Sequence, residues 1–183
     1  MGKFLKWFLI IVAILAVIGY FAFQRMKEQT KKASPEETVM LKDGDLQIEV
    51  TYSRPYKKGR DIFGVLVPYK QVWRTGANEA TSFTTNQDIT FGAEKVPAGK
   101  YTLWSIPDRD QWTVILNEKQ YMWGVRGGGS ASRDPEADIA SVQVPVITLS
   151  DTVEQFTIRF EENGPARMVL EWDLVQVAVP IGR

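Results

Sequence analysis

Cysteine and histidine are both absent from the 183 residues. Without cysteine there is no disulfide, no thiol nucleophile and no thiolate metal site. Without histidine, neither a Ser-His or Cys-His nucleophile nor a histidine-ligated zinc, copper or haem site can be assembled. A metal would have to be a hard cation held by oxygens. The nearest approach to such a site, Asp43 and Asp45 flanking Gly44, reads as a plain turn, so neither a metal nor a cofactor is expected. A charge excess is missing as well: 22 basic side chains face 22 acidic ones. Lys3 and Lys6 stand ahead of an apolar run and leave the remainder slightly acidic. A face able to neutralise phosphates is therefore not expected, and nucleic acid is excluded as a partner class.

What the chain does have is one long apolar run. Residues 4–23, FLKWFLIIVAILAVIGYFAF, carry a single charge, Lys6. Twenty helical residues match the hydrocarbon thickness of a bilayer. Tyr20 and Ala22 stand where a signal peptidase needs small residues at alternate positions, so the run is read as an uncleaved transmembrane anchor over residues 1–23. Arg25, Lys27, Lys31 and Lys32 follow it, which leaves orientation open on charge alone. Ala13, Ala16, Gly19 and Ala22 recur every three residues, and the four-residue spacing of a close-packed helix dimer is missing. Residues 24–40 read as a charged stalk and linker broken near Pro35.

From residue 41 the period changes from helical to two. Leu46, Ile48, Val50 and Tyr52 alternate with Gln47, Glu49 and Thr51, the pattern of a half-buried strand. Similar runs follow around Phe83, Ile89, at residues 101–106, 112–116, 139–144, 154–160, 167–173 and 175–179, with Pro- and Gly-marked turns between them. About ten short strands and no convincing helix predict an antiparallel β-sandwich or jelly-roll-like domain over 41–183. Gly127, Gly128, Gly129 and Ser130 read as a flexible loop, because no helix follows them to make a phosphate cradle.

Two stretches are turn-rich yet dense in large polar and aromatic side chains, residues 53–64 (SRPYKKGRDIFG) and 67–84 (VPYKQVWRTGANEATSFT). Loops delivered onto a sheet either clamp its layers or recognise a partner. The candidate partner-binding residues are Arg54, Tyr56, Arg60, Tyr69, Trp73, Arg74, Asn78 and Glu79. As an enzyme, Glu79 would serve as general base, with Arg74 and Asn78 holding a developing negative charge. As a structural loop, Arg74 pairs with a carboxylate or carbonyls and Asn78 ties backbone. The structural reading is preferred, and no residue is assigned as catalytic.

The runs GRDIFGVLVPYKQVWRTGANEAT (59–81), VPAGKYTLWSIP (96–107), WTVILN (112–117), WG (123–124) and DIASVQVP (138–145) together resemble the DUF2911 family. The resemblance covers about residues 41–181. It implies an all-β domain of the bacterial envelope and supplies no reaction, substrate or cofactor. The glycine-rich stretch after Trp123-Gly124 departs from the family's usual continuation. The expectation is a non-catalytic accessory subunit, anchored in the inner membrane by residues 4–23, whose periplasmic β-domain docks on a larger membrane protein complex. The alternatives are a periplasmic carbohydrate- or ligand-binding module and a histidine-free carboxylate hydrolase.

Overall fold

A computed structural model describes residues 2–183. Two compact units divide the chain, the second being Ser34–Arg183. The first is a single helix, α1 (Lys3–Ala33), with no buried residue. It is long and apolar enough to cross a membrane. Its 31 residues reach about 46 Å at 1.5 Å per residue, so the charged segment after residue 23 prolongs the helix beyond bilayer thickness. Lys31 and Lys32 occupy the last turn, where cations suit the helix dipole. Ser34-Pro35 ends it, since the residue before a proline is pushed out of helical conformation.

The second unit is an antiparallel β-sandwich. Its strands are β1 (Glu36–Asp43), β2 (Leu46–Ser53), β3 (Ser82–Thr85), β4 (Ile89–Phe91), β5 (Glu94–Val96), β6 (Gly99–Pro107), β7 (Gln111–Asn117), β8 (Asp138–Pro145), β9 (Ile147–Glu161) and β10 (Arg167–Gly182). One sheet has the order β1-β2-β3-β6-β7-β8 and the other β5-β4-β10-β9. Alternation places Ile48, Val50, Phe83, Leu103, Val114 and Leu116 of the first sheet against Phe156, Ile158, Leu170, Trp172, Val177 and Val179 of the second, all buried.

Several boundaries differ from the sequence reading, β9 starting at Ile147 and Glu94–Val96 adding a strand, and two have a clear physical reason. Residues 36–40, read as linker, form the first half of β1. Only Leu41 of that strand is fully buried; burial alternates along residues 36–41, but Glu37 on the covered side and Met40 on the exposed side hide the alternation in residue type. β1 and β2 pair from Glu36↔Ser53 to Asp43↔Leu46, so Gly44 (φ +57°) and Asp45 form the two-residue turn expected there. Second, the segments on either side of Asp173 belong to one strand. The register of β10 against β9 shifts on both sides of Asp173, which has φ +57° and a carboxylate 2.5 Å from Lys57 Nζ. The inward parity changes there from Met168, Leu170 and Trp172 to Val177, Val179 and Ile181, as a bulge requires.

Tyr52 joins the sheets. Its buried hydroxyl donates to Glu37 Oε2 (2.9 Å), lies 3.2 Å from the Ile158 carbonyl and accepts from the Ile158 N–H (2.8 Å). Burial pushes its pKa above the ordinary tyrosine value. Tyr52→Phe would orphan a buried N–H of β9 and should cost about 1–3 kcal/mol. Because the folded pKa is raised, the stability that depends on the neutral phenol is complete below the unfolded value of about 10 and is lost as pH rises beyond it. Denaturant titrations should show a smaller alkaline loss of stability in Tyr52→Phe than in the parent protein. Equal slopes would mean that Tyr52 is not the titrating group.

Candidate functional site

β3 has only 4 residues. It pairs with residues 48–51 of β2 and 99–102 of β6, leaving the rest of both strands without a strand neighbour on that side. The β2–β3 loop fills that gap. The Trp73 N–H donates to the Ser105 carbonyl (2.7 Å) and receives the Ser105 N–H in return (2.9 Å). The Lys70 N–H donates to Pro107, the Leu103 N–H to the Thr81 carbonyl, and the Ala77 N–H to the Ser53 carbonyl. Residues 70–81 thus act as an irregular strand wedged between β2 and β6.

The wedge demands unusual backbone. Thr75 is fully buried at φ +55°, a conformation that is a genuine outlier for a β-branched residue. Its hydroxyl lies 3.0 Å from Ser105 Oγ, and its carbonyl accepts from Thr81 Oγ1 at 2.7 Å. Gly76 has φ +151°, and a Cβ there would stand 3.0 Å from the Ser53 carbonyl oxygen. The tryptophan beside them faces the core. Trp73 stacks at 6.1 Å on Trp172 and meets Phe63, Trp112 and Phe156 edge-on, while its indole N–H donates to the Gly76 carbonyl (3.0 Å).

The polar candidates also turn toward the protein. Arg74 donates to the Trp123 carbonyl at 2.8 Å. Burial pulls its pKa below the usual arginine value, and the Glu79 charge partly offsets that. Asn78, buried at φ +55°, donates to the Ser34 carbonyl (3.3 Å). Arg54 ties three segments together, through a 2.9 Å bridge to Glu37, the Phe156 carbonyl (3.1 Å) and Thr157 Oγ1 (2.8 Å). Its N–H holds the Pro35 carbonyl (2.8 Å). Tyr56 forms an isolated bridge with Gln155 on the outer edge of β9. Arg60 caps the carbonyls of Lys57 and Tyr56 and is exposed, while Tyr69 sits 5.2 Å from the Arg109 guanidinium. The structure therefore gathers Trp73, Arg74, Asn78 and Glu79 into the wedge, and places Arg54, Tyr56, Arg60 and Tyr69 on the end of the sandwich around it.

A second layer covers the outer face of the first sheet. Trp104, fully buried on that face, meets Tyr121 at 5.3 Å. Gly124 (φ +68°) closes over it: a Cβ there would lie 3.1 Å from Arg74 Cβ, 3.2 Å from Trp104 and 3.3 Å from Ala80 Cβ. The cover is latched by Tyr121, whose hydroxyl donates to Asn117 Oδ1 (3.1 Å) and accepts from the Asp134 N–H (2.9 Å). Lys119, hydrogen-bonded to Asp134, holds the Asp134 carboxyl below its ordinary pKa. The glycine-rich stretch, expected to be a flexible loop, is a small hairpin. Val125 bridges Ala131, Arg126 N–H donates to Ser130, Gly129 N–H to Arg126, and Ser132 N–H to Gly124.

Among the described residues no group of three or more Asp, Glu, His or Cys is placed to hold a metal. A cavity of about 460 Å³ lined by Asp88, Ile89, Lys95, Val96 and Arg183 among others contains none of the candidate residues.

Residues 34–181 match the family described as "Protein of unknown function (DUF2911)". No curated protein and no solved structure matches the chain.

The geometry ranks two substitutions. Trp73→Ala removes an indole from an aromatic cluster and should cost about 3–5 kcal/mol. Arg74→Ala removes one charged hydrogen bond to a carbonyl and should cost about 1–3 kcal/mol. Chemical denaturation checks both; an Arg74→Ala protein as stable as its parent would contradict the bracing role.

Proposed function

The chain belongs to DUF2911, a family described only as of unknown function, and on that premise we propose that it is a membrane-anchored accessory subunit. In this reading α1 spans the bacterial inner membrane once, the β-domain stands in the periplasm, and it docks on a larger membrane protein complex of respiratory, photosynthetic or envelope-assembly type. Protein contact is the role, and catalysis is not assigned.

The observation that carries the reading is what the fold leaves outside. Trp73, Arg74, Asn78 and Glu79 brace the wedge, and Trp104 and Trp112 are buried, so these residues offer no open sugar-stacking platform. At the foot of the glycine hairpin, by contrast, Met122 (71 % exposed) and Val125 (36 %) face solvent on either side of Gly124, with Arg126 exposed beside them. The base of that hairpin is fixed on Trp104 and Arg74 through Gly124. Exposed apolar side chains on a fixed base are the arrangement of a preorganised docking element. Arg60 and Tyr56 keep solvent-facing surface on the end of the sandwich. Arg54, Trp73, Arg74, Asn78 and Glu79 are assigned to positioning, while Tyr69 lies on the end of the sandwich near residue 66.

Affinity purification in mild detergent tests this. The tagged full chain should bring down a membrane complex, and Met122→Asp combined with Arg126→Glu should lose it without lowering the melting temperature. The Ser34–Arg183 fragment contains every residue of the hydrophobic core and should fold. Without the anchor's effective concentration it should bind the same complex about 100-fold more weakly. An isolated monomer in detergent, together with a fragment that turns over a substrate, would replace this reading with an enzyme.

A further inference from the structure

We propose that the end of the sandwich carrying Val65 and Leu66 seats on the surface of a lipid bilayer. The proposal rests on the reading of α1 as a membrane anchor and is independent of any protein partner.

Four large apolar side chains of the β-domain are exposed at segments of this one end: Val65 (68 %), Leu66 (44 %), Ile147 (44 %) and Leu174 (41 %). Strand registry places them together. β6 finishes at Pro107 against Trp112 of β7, and β7 starts opposite Pro145, the last residue of β8. The Lys70 N–H donates to Pro107 and the Val146 N–H to Asp110. Ile147 pairs with Gln176, next to Leu174. Phe63, two residues before Val65, rests on Trp112 at 5.0 Å and Trp172 at 6.2 Å.

The Val65-Leu66 tip is rigid. Gly64 N–H donates to the Val67 carbonyl (2.8 Å) and Val67 N–H to the Ile62 carbonyl (2.9 Å), with Ile62 and Val67 buried beneath. Gly64 has φ +89°, and a Cβ there would meet the Tyr69 ring at 2.7 Å. Two adjacent aliphatic side chains are thus held toward solvent by a turn that cannot fold them inward, a standing cost unless something apolar covers them.

Two further facts choose lipid as the cover. The chain enters the β-domain at this end: Ser34 and Pro35, which directly follow α1, are held by Asn78 and by the Arg54 N–H. The bilayer that takes residues 4–23 is therefore never more than a short helical segment away in sequence. A tyrosine beside aliphatic residues, with cations around them, is also the side-chain set of a membrane interface. Lys70 has Asp108 at 3.8 Å and Arg109 stands between Asp108 and Asp110 in the sequence, so the seat works by apolar insertion and does not need anionic lipid.

Because the chain has no cysteine, single labelling sites can be introduced. Leu66→Cys and, as a second position, Val65→Cys report on the seat. Ala98→Cys, an exposed site just before β6 begins, reports on the other end of that strand, about 26 Å away at 3.3 Å per residue. Full-length protein carrying an environment-sensitive fluorophore is reconstituted alone into phosphatidylcholine bilayers containing nitroxide-labelled lipid. At 65 and 66 the emission should shift to the blue and be quenched about twofold or more, as expected for side chains lying in the headgroup and upper acyl region. At 98 neither change should occur, and raising salt should leave the result unchanged. Equal behaviour at 66 and 98 overturns the proposal. So does quenching that appears only with anionic lipid, which would indicate electrostatic adsorption. Protection at 66 that appears only when a co-purifying complex is added assigns the seat to protein and overturns it as well. None of these outcomes depends on whether the accessory-subunit reading holds.

Discussion

The short strand β3 sets the problem that the rest of the domain answers. With 4 residues it leaves half of β6 and the end of β2 unpaired on their facing sides in the middle of a six-stranded sheet. Unpaired backbone in a sheet interior costs a desolvation penalty for each group, on the order of 1–3 kcal/mol. Residues 70–81 answer that cost by supplying N–H and C=O groups from a non-strand path. The path is strained at Thr75, Gly76 and Asn78, and the strain is held by packing on both sides. Inward, Trp73 joins Phe63, Trp112, Phe156 and Trp172; outward, Arg74 supports Gly124 and the cover over Trp104. The wedge is therefore the point at which both sheets and the outer cover meet.

This accounts for where the most conspicuous polar residues of the chain reach. A backbone that departs from strand geometry cannot satisfy itself, so side chains must reach across to carbonyls: Arg74 to Trp123, Asn78 to Ser34, Arg54 to Phe156. Charged and amide donors do this best, because a charge-assisted bond is about twice as strong as a neutral one. Such residues are hard to distinguish in a sequence from an active-site constellation, since both need converging donors on a loop.

Much of the architecture was legible for simple physical reasons. Strands with one face in the core, such as β2 and β6, print their period directly, and the apolar anchor prints its length. The legibility failed where residue type did not follow burial with a single period. β1 lies on an edge and buries only Leu41 fully. β10 changes its inward parity at Asp173, so a single strand looks like two. The glycine stretch lacks any periodic signal, and its hairpin is made by backbone bonds between Arg126, Gly129 and Ser130 that leave no trace in residue type. The identity of the wedge was half legible: its turn residues marked a loop, and only the pairing of Trp73 with Ser105 shows that the loop substitutes for a strand.

The distribution of exposed apolar surface follows from the same construction. A sandwich is closed along its sides by strands and at its ends by loops, and the end above the Trp73 cluster must be covered by the segment that also forms the wedge. That segment has to leave β2, pass over the aromatic cluster and return to the β2–β6 gap. Its turning point at Val65-Leu66 consequently faces solvent. Ile62, Phe63 and Val67 are spent on covering the aromatics, so apolar character at the tip contributes nothing to folding the domain. Solvent would tolerate serine or lysine there at no loss of core packing. Aliphatic residues at a position that the fold leaves free, at the end where the chain arrives from its apolar helix, therefore point to a surface outside the domain as the source of the constraint.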